Sequence, residues 1–473
     1  MNQQLLLARM RQFAPWTFMV GGITVAVAAY LQALHYPFVN DDTVYLVENF
    51  KLAGLQSGEL WRLFIEPYNR YEFLPLRDLS YWFDITQFGL TPSAFRLHNI
   101  ILYLLCLPLV YGTALAAWRY FRPADAASAP WAAAAVTALF VVHPSHAEAV
   151  VWISGRKDVL STLFSLLALW FALKAKREHG ISHGYAGAAL VALLAAMLSK
   201  ATSVAMAPVI AMLWILFWHD TPGPNRHRSV LLWPLASLVL AACIALVFSA
   251  NSSVKAAAYF GVEAITRGVA VMGWLARLAV SPESRHFIYP VFDDPYLPVM
   301  VTLGAAILLA AIAGAAVTLR KRSLEGFALI AFVLLCMPYT QVVPFVTPTL
   351  VSDRFLTLAA WPAVLLIVSL SWRLKEVPRS ALLIIIALLW GYQTIERPRD
   401  WRSYEALVDT DLRAYPGHYL PVFQKIMSYL LPKGRFREAE EMASNITVPE
   451  ARDIMSKLVQ AAIDLRDVKM TSD

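Results

Sequence analysis

Residues 131–174 read WAAAAVTALFVVHPSHAEAVVWISGRKDVLSTLFSLLALWFALK. An apolar run, a knot of histidine and charge, and a second apolar run follow one another. A membrane-crossing α-helix needs roughly 20 apolar residues, and backbone groups in hydrocarbon must bond within their own segment. The stretch therefore reads as two membrane helices, 131–151 and 158–175, joined by a polar turn.

The pattern recurs along the chain. Of its 473 residues 58% are hydrophobic, with a mean hydropathy of +0.54, more apolar surface than a soluble domain of this size can hide. The other spans fall at 16–36, 97–118, 184–199, 203–219, 230–250, 299–319, 325–345, 355–372 and 380–396, about eleven in all. The fold class is an all-α, polytopic membrane helix bundle. The N-terminal MNQQLLLARMRQ and the apolar run behind it read as an uncleaved first membrane helix. Cys106, Cys243 and Cys336 all lie in apolar spans and suggest neither a disulfide nor a metal framework.

The net charge of +7 does not point to nucleic acid, because Lys and Arg concentrate in short loops. Placing the N-terminus in the cytoplasm puts Arg9 and Arg11, Arg119 and Arg122, Lys174 to Arg177, Arg226 and Arg228, Arg320 to Arg322, and Arg373 to Arg379 on the cytoplasmic side, as positive-inside orientation requires. Segments 37–96 and 251–298 then become large extracytoplasmic loops. The apolar 264–280 becomes an interfacial or re-entrant helix. Residues 1–396 form the membrane domain, and 397–473 a small extracytoplasmic helical tail. In that tail GRFREAEEMA resembles one tetratricopeptide helix.

With this topology the remaining polar groups gather on one face. Asp41 and Asp42, in PFVNDDTVYL, are adjacent carboxylates at an interface. Mutual repulsion and lost hydration raise such a pKa and suit a general base; the bland reading is a cap or turn. The knot at 143–158 contributes His143, His146, Glu148, Arg156, Lys157 and Asp158. Basic residues in a short extracytoplasmic turn call for a reason, and gripping an anionic oxygen is one; a structural Arg–Asp clamp is the other. His143 and His146 have a helical ligand spacing, but Pro144 interrupts it, so a divalent metal is possible but not favoured. Lys200 after Ser199, and Asp353 and Arg354 in SDRF, add charge at two further outer helix ends. Arg77 and Asp78, with Tyr71, Tyr81 and Trp82 close by, belong to the first loop. Ionisable groups at membrane depth are functional candidates by default.

The segments FVNDD, LPLRDLSYWFD, FGLTPSAFRLHNIILY, HPSHAEAVVWISGRKDVLSTLF, SK and SDRFL together resemble the membrane-embedded GT-C glycosyltransferases, and among them the O-mannosyltransferase-like proteins that bear extracytoplasmic tetratricopeptide repeats. The resemblance runs over most of 35–420; the tail, with one or two repeats, departs from it. It implies a polyprenyl-phosphate-linked sugar donor, a protein or glycan acceptor, and inversion with no cofactor. It further implies that Asp42 or Asp41 is the base and that Arg156, Lys157, Lys200 and Arg354 hold the donor phosphate, with Arg77, Asp78, His143, His146, Glu148, Asp158 and Asp353 lining the substrate cavity. A bacterial inner membrane with the site facing the periplasm fits the Ala- and Leu-rich spans, with the endoplasmic reticulum membrane as the alternative. A transporter or lipid-linked-sugar flippase is the competing class, but it predicts internal repeats and midplane charges, which the sequence does not show.

Overall fold

The computed structural model describes residues 3–68, 72–178, 180–221, 231–251, 262–281, 286–289, 291, 296–341 and 349–472. Tyr71, Arg226 and Arg228 lie outside these residues. Among the described residues, the α-helices of six residues or more are α1 Gln3–Leu31, α2 Pro75–Phe88, α3 Pro92–Phe121, α4 Ala129–Val141, α5 His146–Val151, α6 Arg156–Lys174, α7 His183–Ser199, α8 Met206–Asp220, α9 Leu232–Asn251, α10 Val262–Val280, α11 Tyr296–Lys321, α12 Leu324–Cys336, α13 Leu356–Ser371, α14 Glu376–Glu396, α15 Tyr404–Ala414, α16 Tyr419–Lys425, α17 Phe436–Ser444 and α18 Pro449–Ser472. Strand structure among them amounts to one antiparallel pair, β1 Lys176–Arg177 with β2 Gly180–Ile181. The molecule is thus an all-helical, multi-pass membrane protein.

Every expected span overlaps a helix, but length and composition qualify six helical segments as membrane crossings, with four shorter apolar helices beside them. The count of eleven is not confirmed. The expected span 131–151 divides: α4 stops at Val141 and α5 starts at His146. Pro144 accounts for the stop, since proline has no N–H to continue the helical ladder and disfavours helix in the residue before it. Similarly, α12 ends at Cys336 and tightens into a 3-10 turn through Pro338.

The helices bury a shared apolar core. α4 packs on α1 and α3, α6 on α3 and α7, and α13 on α12. Two glycines permit the closest crossing. A Cβ on Gly273 would sit 2.0 Å from the Met300 carbonyl, and one on Gly304 would sit 1.9 Å from that of Val269. α10 and α11 therefore cross backbone to backbone, as small residues allow in membrane bundles. At 264–280, expected as an interfacial or re-entrant helix, α10 packs along α11 and buries Trp274, Leu275 and Leu278.

The tail has its own small core. Val422, Ile426 and Leu430 meet Ala439, Ala443, Ile446, Met455 and Val459, so α16, α17 and α18 stack as helical hairpins. α15 instead packs on the turn at Arg397–Arg402, and its Leu407 joins the large membrane core.

Candidate functional site

The site lies where α2 and α3 begin, α4 ends, α6 begins, α7 ends and α13 begins. Local chain geometry builds it. Gly89, in the left-handed region at φ 64°, stops α2, a conformation that costs glycine little. Gly155 sits in a turn folded back on α5, where a Cβ would lie 2.6 Å from the Ala149 carbonyl. That turn delivers Arg156, Lys157 and Asp158 as the first residues of α6.

The two adjacent aspartates do different things. Asp42 is fully buried. Its Oδ1 accepts from the Ser154 amide at 2.8 Å and the Ser154 hydroxyl at 2.6 Å, and its Oδ2 accepts from the Val39 amide at 3.0 Å. Burial pushes its pKa up to about 6 against those hydrogen bonds. Asp42 therefore ties the first loop to the 153–155 turn. Asp41 is only half-buried, and no hydrogen bond or ion pair holds its carboxylate among the described residues. Its pKa is raised by burial; the Lys157 charge, then those of Arg354 and Arg77, oppose the rise, while Glu72 adds to it. Of the two acids the sequence offers as a base, Asp42 is thus bonded through both oxygens, and Asp41 through neither among the described residues.

Arg156 departs furthest from expectation. It is buried, donates to Asn99 Oδ1 at 2.7 Å and the Phe95 carbonyl at 2.8 Å, and pairs with Asp84 at 2.6 Å. Its guanidinium also lies 4.8 Å from the Tyr81 ring centroid. A guanidinium offers five N–H donors, and here they join α6 to α2 and α3. Arg156 is a structural clamp, with an acid from another helix as its partner.

The other expected phosphate-binding cations are also paired. Lys157 donates to both Glu72 oxygens, at 2.7 and 2.9 Å. Glu72 also takes Arg77 at 2.5 Å, and Arg77 takes Asp78 at 2.8 Å. Burial would raise Glu72, but Lys157 and Arg77 hold it down at about 2. Lys200 pairs with Asp158 and donates to Tyr339 Oη at 3.1 Å. Arg354 pairs with Glu148, which also accepts the Arg354 amide at 3.0 Å. The expected cationic cluster is instead an ion-pair network, because cations at this depth lose hydration and need carboxylate partners. Lys157 and Arg354 are both 8% exposed, so each retains a little access.

Several expected lining residues prove to be internal supports. Asp353 pairs with Arg397 and accepts from Tyr289 Oη at 2.5 Å. His143 hydrogen-bonds Ser145 Oγ at 2.7 Å, and His146 Nδ1 meets Tyr103 Oη at 2.7 Å; both rings are fully buried. No group of three or more His, Cys, Asp or Glu residues suited to a metal occurs among the described residues. Tyr81, buried, donates to the Ile153 carbonyl at 2.9 Å, and Trp82, half-exposed, donates to that of Leu55 at 2.8 Å.

Sequence reasoning missed Glu72, Asp84, Asn99, Arg397 and Asp411. Asp84 and Asn99 had a usable signal, since each is a polar residue set among aromatic or apolar neighbours in YWFDITQF and RLHNIILY. Asp411 is buried in the tail, and its Oδ1 accepts the Phe287 amide at 2.8 Å. Burial raises its pKa to about 8, against the Phe287 and Ile288 amides. Tyr404, on the same helix, has its hydroxyl pushed up by burial and then by the Asp41 charge.

These features define a polytopic helical membrane protein with a buried polar site at one end of its bundle. The chain is similar to protein O-mannosyl-transferases. It is 29% identical over 195 residues to Protein O-mannosyl-transferase Tmtc1 of Drosophila melanogaster, covering 39% of this chain and 21% of that protein. It is 33% identical over 149 residues to the human TMTC1 enzyme, covering 29% and 16%. It is 30% identical over 178 residues to human TMTC4, covering 34% and 24%. The matched stretch spans less than a quarter of each of these relatives. No protein-family model matches the chain. A structural likeness with TM-score 0.45 and 14% identity links 84% of this chain to 56% of the archaeal oligosaccharyltransferase AglB from Archaeoglobus fulgidus, solved with an inhibitory peptide and a dolichol-phosphate; no functional conclusion rests on it.

Proposed function

We propose that this chain is a glycosyltransferase that moves a sugar from a polyprenyl-phosphate-linked donor to a protein hydroxyl, with Asp41 as general base. The contrast within the acidic pair carries the reading: Asp42 spends both oxygens on the fold, while Asp41 is half-buried, unbonded among the described residues and coupled to Lys157 and Arg354. Similarity to protein O-mannosyl-transferases supports the reaction class and the acceptor. The polar end faces away from the cytoplasm, as the basic loops at the other end favour. A bacterial inner membrane, with the site open to the periplasm, is the setting we favour.

Asp41 takes the proton of the acceptor hydroxyl. The acceptor oxygen then bonds to the anomeric carbon as that carbon's bond to the phosphate oxygen breaks. The lipid phosphate leaves with the electron pair, and the configuration inverts. Charge gathers on the leaving phosphate, and positioned cations stabilise such charge in a dry site. Lys157, Lys200 and Arg354 take that role. Each ammonium has three donors; Lys157 uses two toward Glu72, and Lys200 uses two toward Asp158 and Tyr339. Arg156, fully committed to the fold, takes no part.

The test is sugar transfer by the purified chain in lipid nanodiscs, using polyprenyl-phosphate sugar and an acceptor peptide. Asp41→Asn should lower transfer by about 10²- to 10⁴-fold while the protein keeps its melting temperature. Full activity of Asp41→Asn would sink the assignment.

A further inference from the structure

One recess remains after the base and the ion pairs have been assigned. It lies between α6, the 201–205 turn, the end of α12 and the start of α13. Its empty space, open mouth included, is about 310 Å³, and its polar wall includes Asp158, Thr162, Ser203, Tyr339 and Thr357. Two buried atoms there have no hydrogen-bond partner among the described residues, Asp158 Oδ2 and Thr162 Oγ1. Helical Thr and Ser side chains usually bond back to the carbonyl four residues earlier. Thr113, Thr137 and Ser199 do so in this bundle, to Leu109, Ala133 and Ala195; Thr162 does not. A buried hydroxyl and a buried carboxylate oxygen left unmatched both call for an outside partner.

The lining narrows the chemistry. A phosphate would face the Asp158 carboxylate at close range. A divalent cation would need several oxygen ligands, yet the other Asp158 oxygen already holds the Lys200 ammonium. A polyprenyl chain gains nothing from a wall of hydroxyls. Leu335, Phe355 and Leu358 add apolar carbon to the same lining. Hydroxyl donors and acceptors mixed with apolar carbon match a ring that carries O–H groups along its edge and C–H groups on its face.

We propose that this recess receives the hydroxyl edge of the donor sugar. Asp158 Oδ2 accepts from one sugar hydroxyl, and Thr162 Oγ1 bonds a second. The inference rests on the glycosyltransferase reading. Arg354 links the two, since it borders the recess and its charge acts on Asp41. A site built to hydrogen-bond a substrate hydroxyl discriminates strongly against analogues that lack it, which makes Thr162 a specificity-determining position.

Binding to the full chain in nanodiscs tests this, comparing bare polyprenyl phosphate with polyprenyl phosphate carrying mannose, glucose or a pentose. The variants are Thr162→Val, which keeps shape and loses the hydroxyl, and Thr162→Ser, which restores it. Wild type should bind one sugar-bearing lipid more tightly than the bare lipid. Thr162→Val should weaken that ligand about five- to tenfold, the worth of one hydrogen bond, and leave the bare lipid unchanged; Thr162→Ser should recover most of the loss. Equal weakening of both ligands would assign the recess to the phosphate and overturn the proposal. No change for either ligand would empty the recess of substrate and do the same. If wild type binds none of the lipids, the glycosyltransferase reading itself falls, a failure distinct from the other two.

Discussion

At one end of the bundle, Asp220 is held by Lys176 at 2.9 Å and by Arg322, and Glu325 by Arg122 at 2.6 Å with Arg373 at 3.7 Å. Two acids face four cations there among the described residues, and the cation side chains range from 21% exposed at Arg122 to 71% at Arg373. At the other end Asp41, Glu72, Asp78, Glu148 and Asp158 face Arg77, Lys157, Lys200 and Arg354, five acids to four cations, all but Asp41 and Glu72 drawn from buried or nearly buried side chains. The exposed end carries surplus positive charge, which suits orientation in a membrane. Among the described side chains of the buried end the acids outnumber the cations by one, and pairing them off leaves Asp41 over, the acid we propose as the base. A network in cation excess at the surface is arranged to stay put.

The comparison breaks most visibly at Asp41. Asp41→Asn should lower the transfer rate about 10²- to 10⁴-fold, the usual worth of a general base, as measured by turnover with saturating donor. Wild-type activity should also rise with pH through a midpoint above the ordinary carboxylate range, because burial raises this acid; that limb should vanish in the variant. Next comes Glu148→Gln, which leaves the buried Arg354 charge without its carboxylate. Removing one partner of a buried pair costs about 3–5 kcal/mol, so thermal unfolding should show a large drop. Asp42→Asn should cost less, about 1–3 kcal/mol, since an amide nitrogen can replace only one oxygen and would then face the Val39 or Ser154 donor. Its defect should appear in melting temperature, with any lost activity following the lost fold.

A smaller effect separates the tail from the rest. Asp411 binds its proton more tightly folded than unfolded, with a folded pKa near 8. The folded state therefore holds more protons between about pH 4 and pH 8, and the stability of tail docking falls with rising pH across that window. Protection of the Phe287 and Ile288 amides, corrected for the intrinsic rise of exchange with pH, should fall toward pH 8 and level off above it, and Asp411→Asn should flatten the profile. The least response belongs to the exposed end: Glu325→Gln should shift stability by no more than about 1 kcal/mol and lose even that in high salt.

The sequence revealed the helices and the residues that gather at one end, because apolar length and charge placement are local signals. It did not reveal partners. Arg354 and Asp353 are neighbours in the chain but pair with Glu148 and Arg397 instead, in keeping with the divergence of adjacent side chains on a helix. Arg156 read as a phosphate ligand because Asp84, the acid that claims it, lies 72 positions away. The roles of Asp41 and Asp42 were equally illegible, since they are set by the Ser154 turn reaching back to one of them. Such pairings follow from how helices cross, and helix crossing depends on the whole core.

The helical tail is not an ornament that can be cut away. Arg397 is the cation that neutralises Asp353 at the head of α13, and Asp411 is the acceptor for the Phe287 amide. A chain stopped after α14 would strand a buried anion at the head of α13 and orphan a buried N–H in the 251–298 segment. Truncation would thus act as a lesion to the protein's interior, and a short version made to simplify the protein should come out unstable.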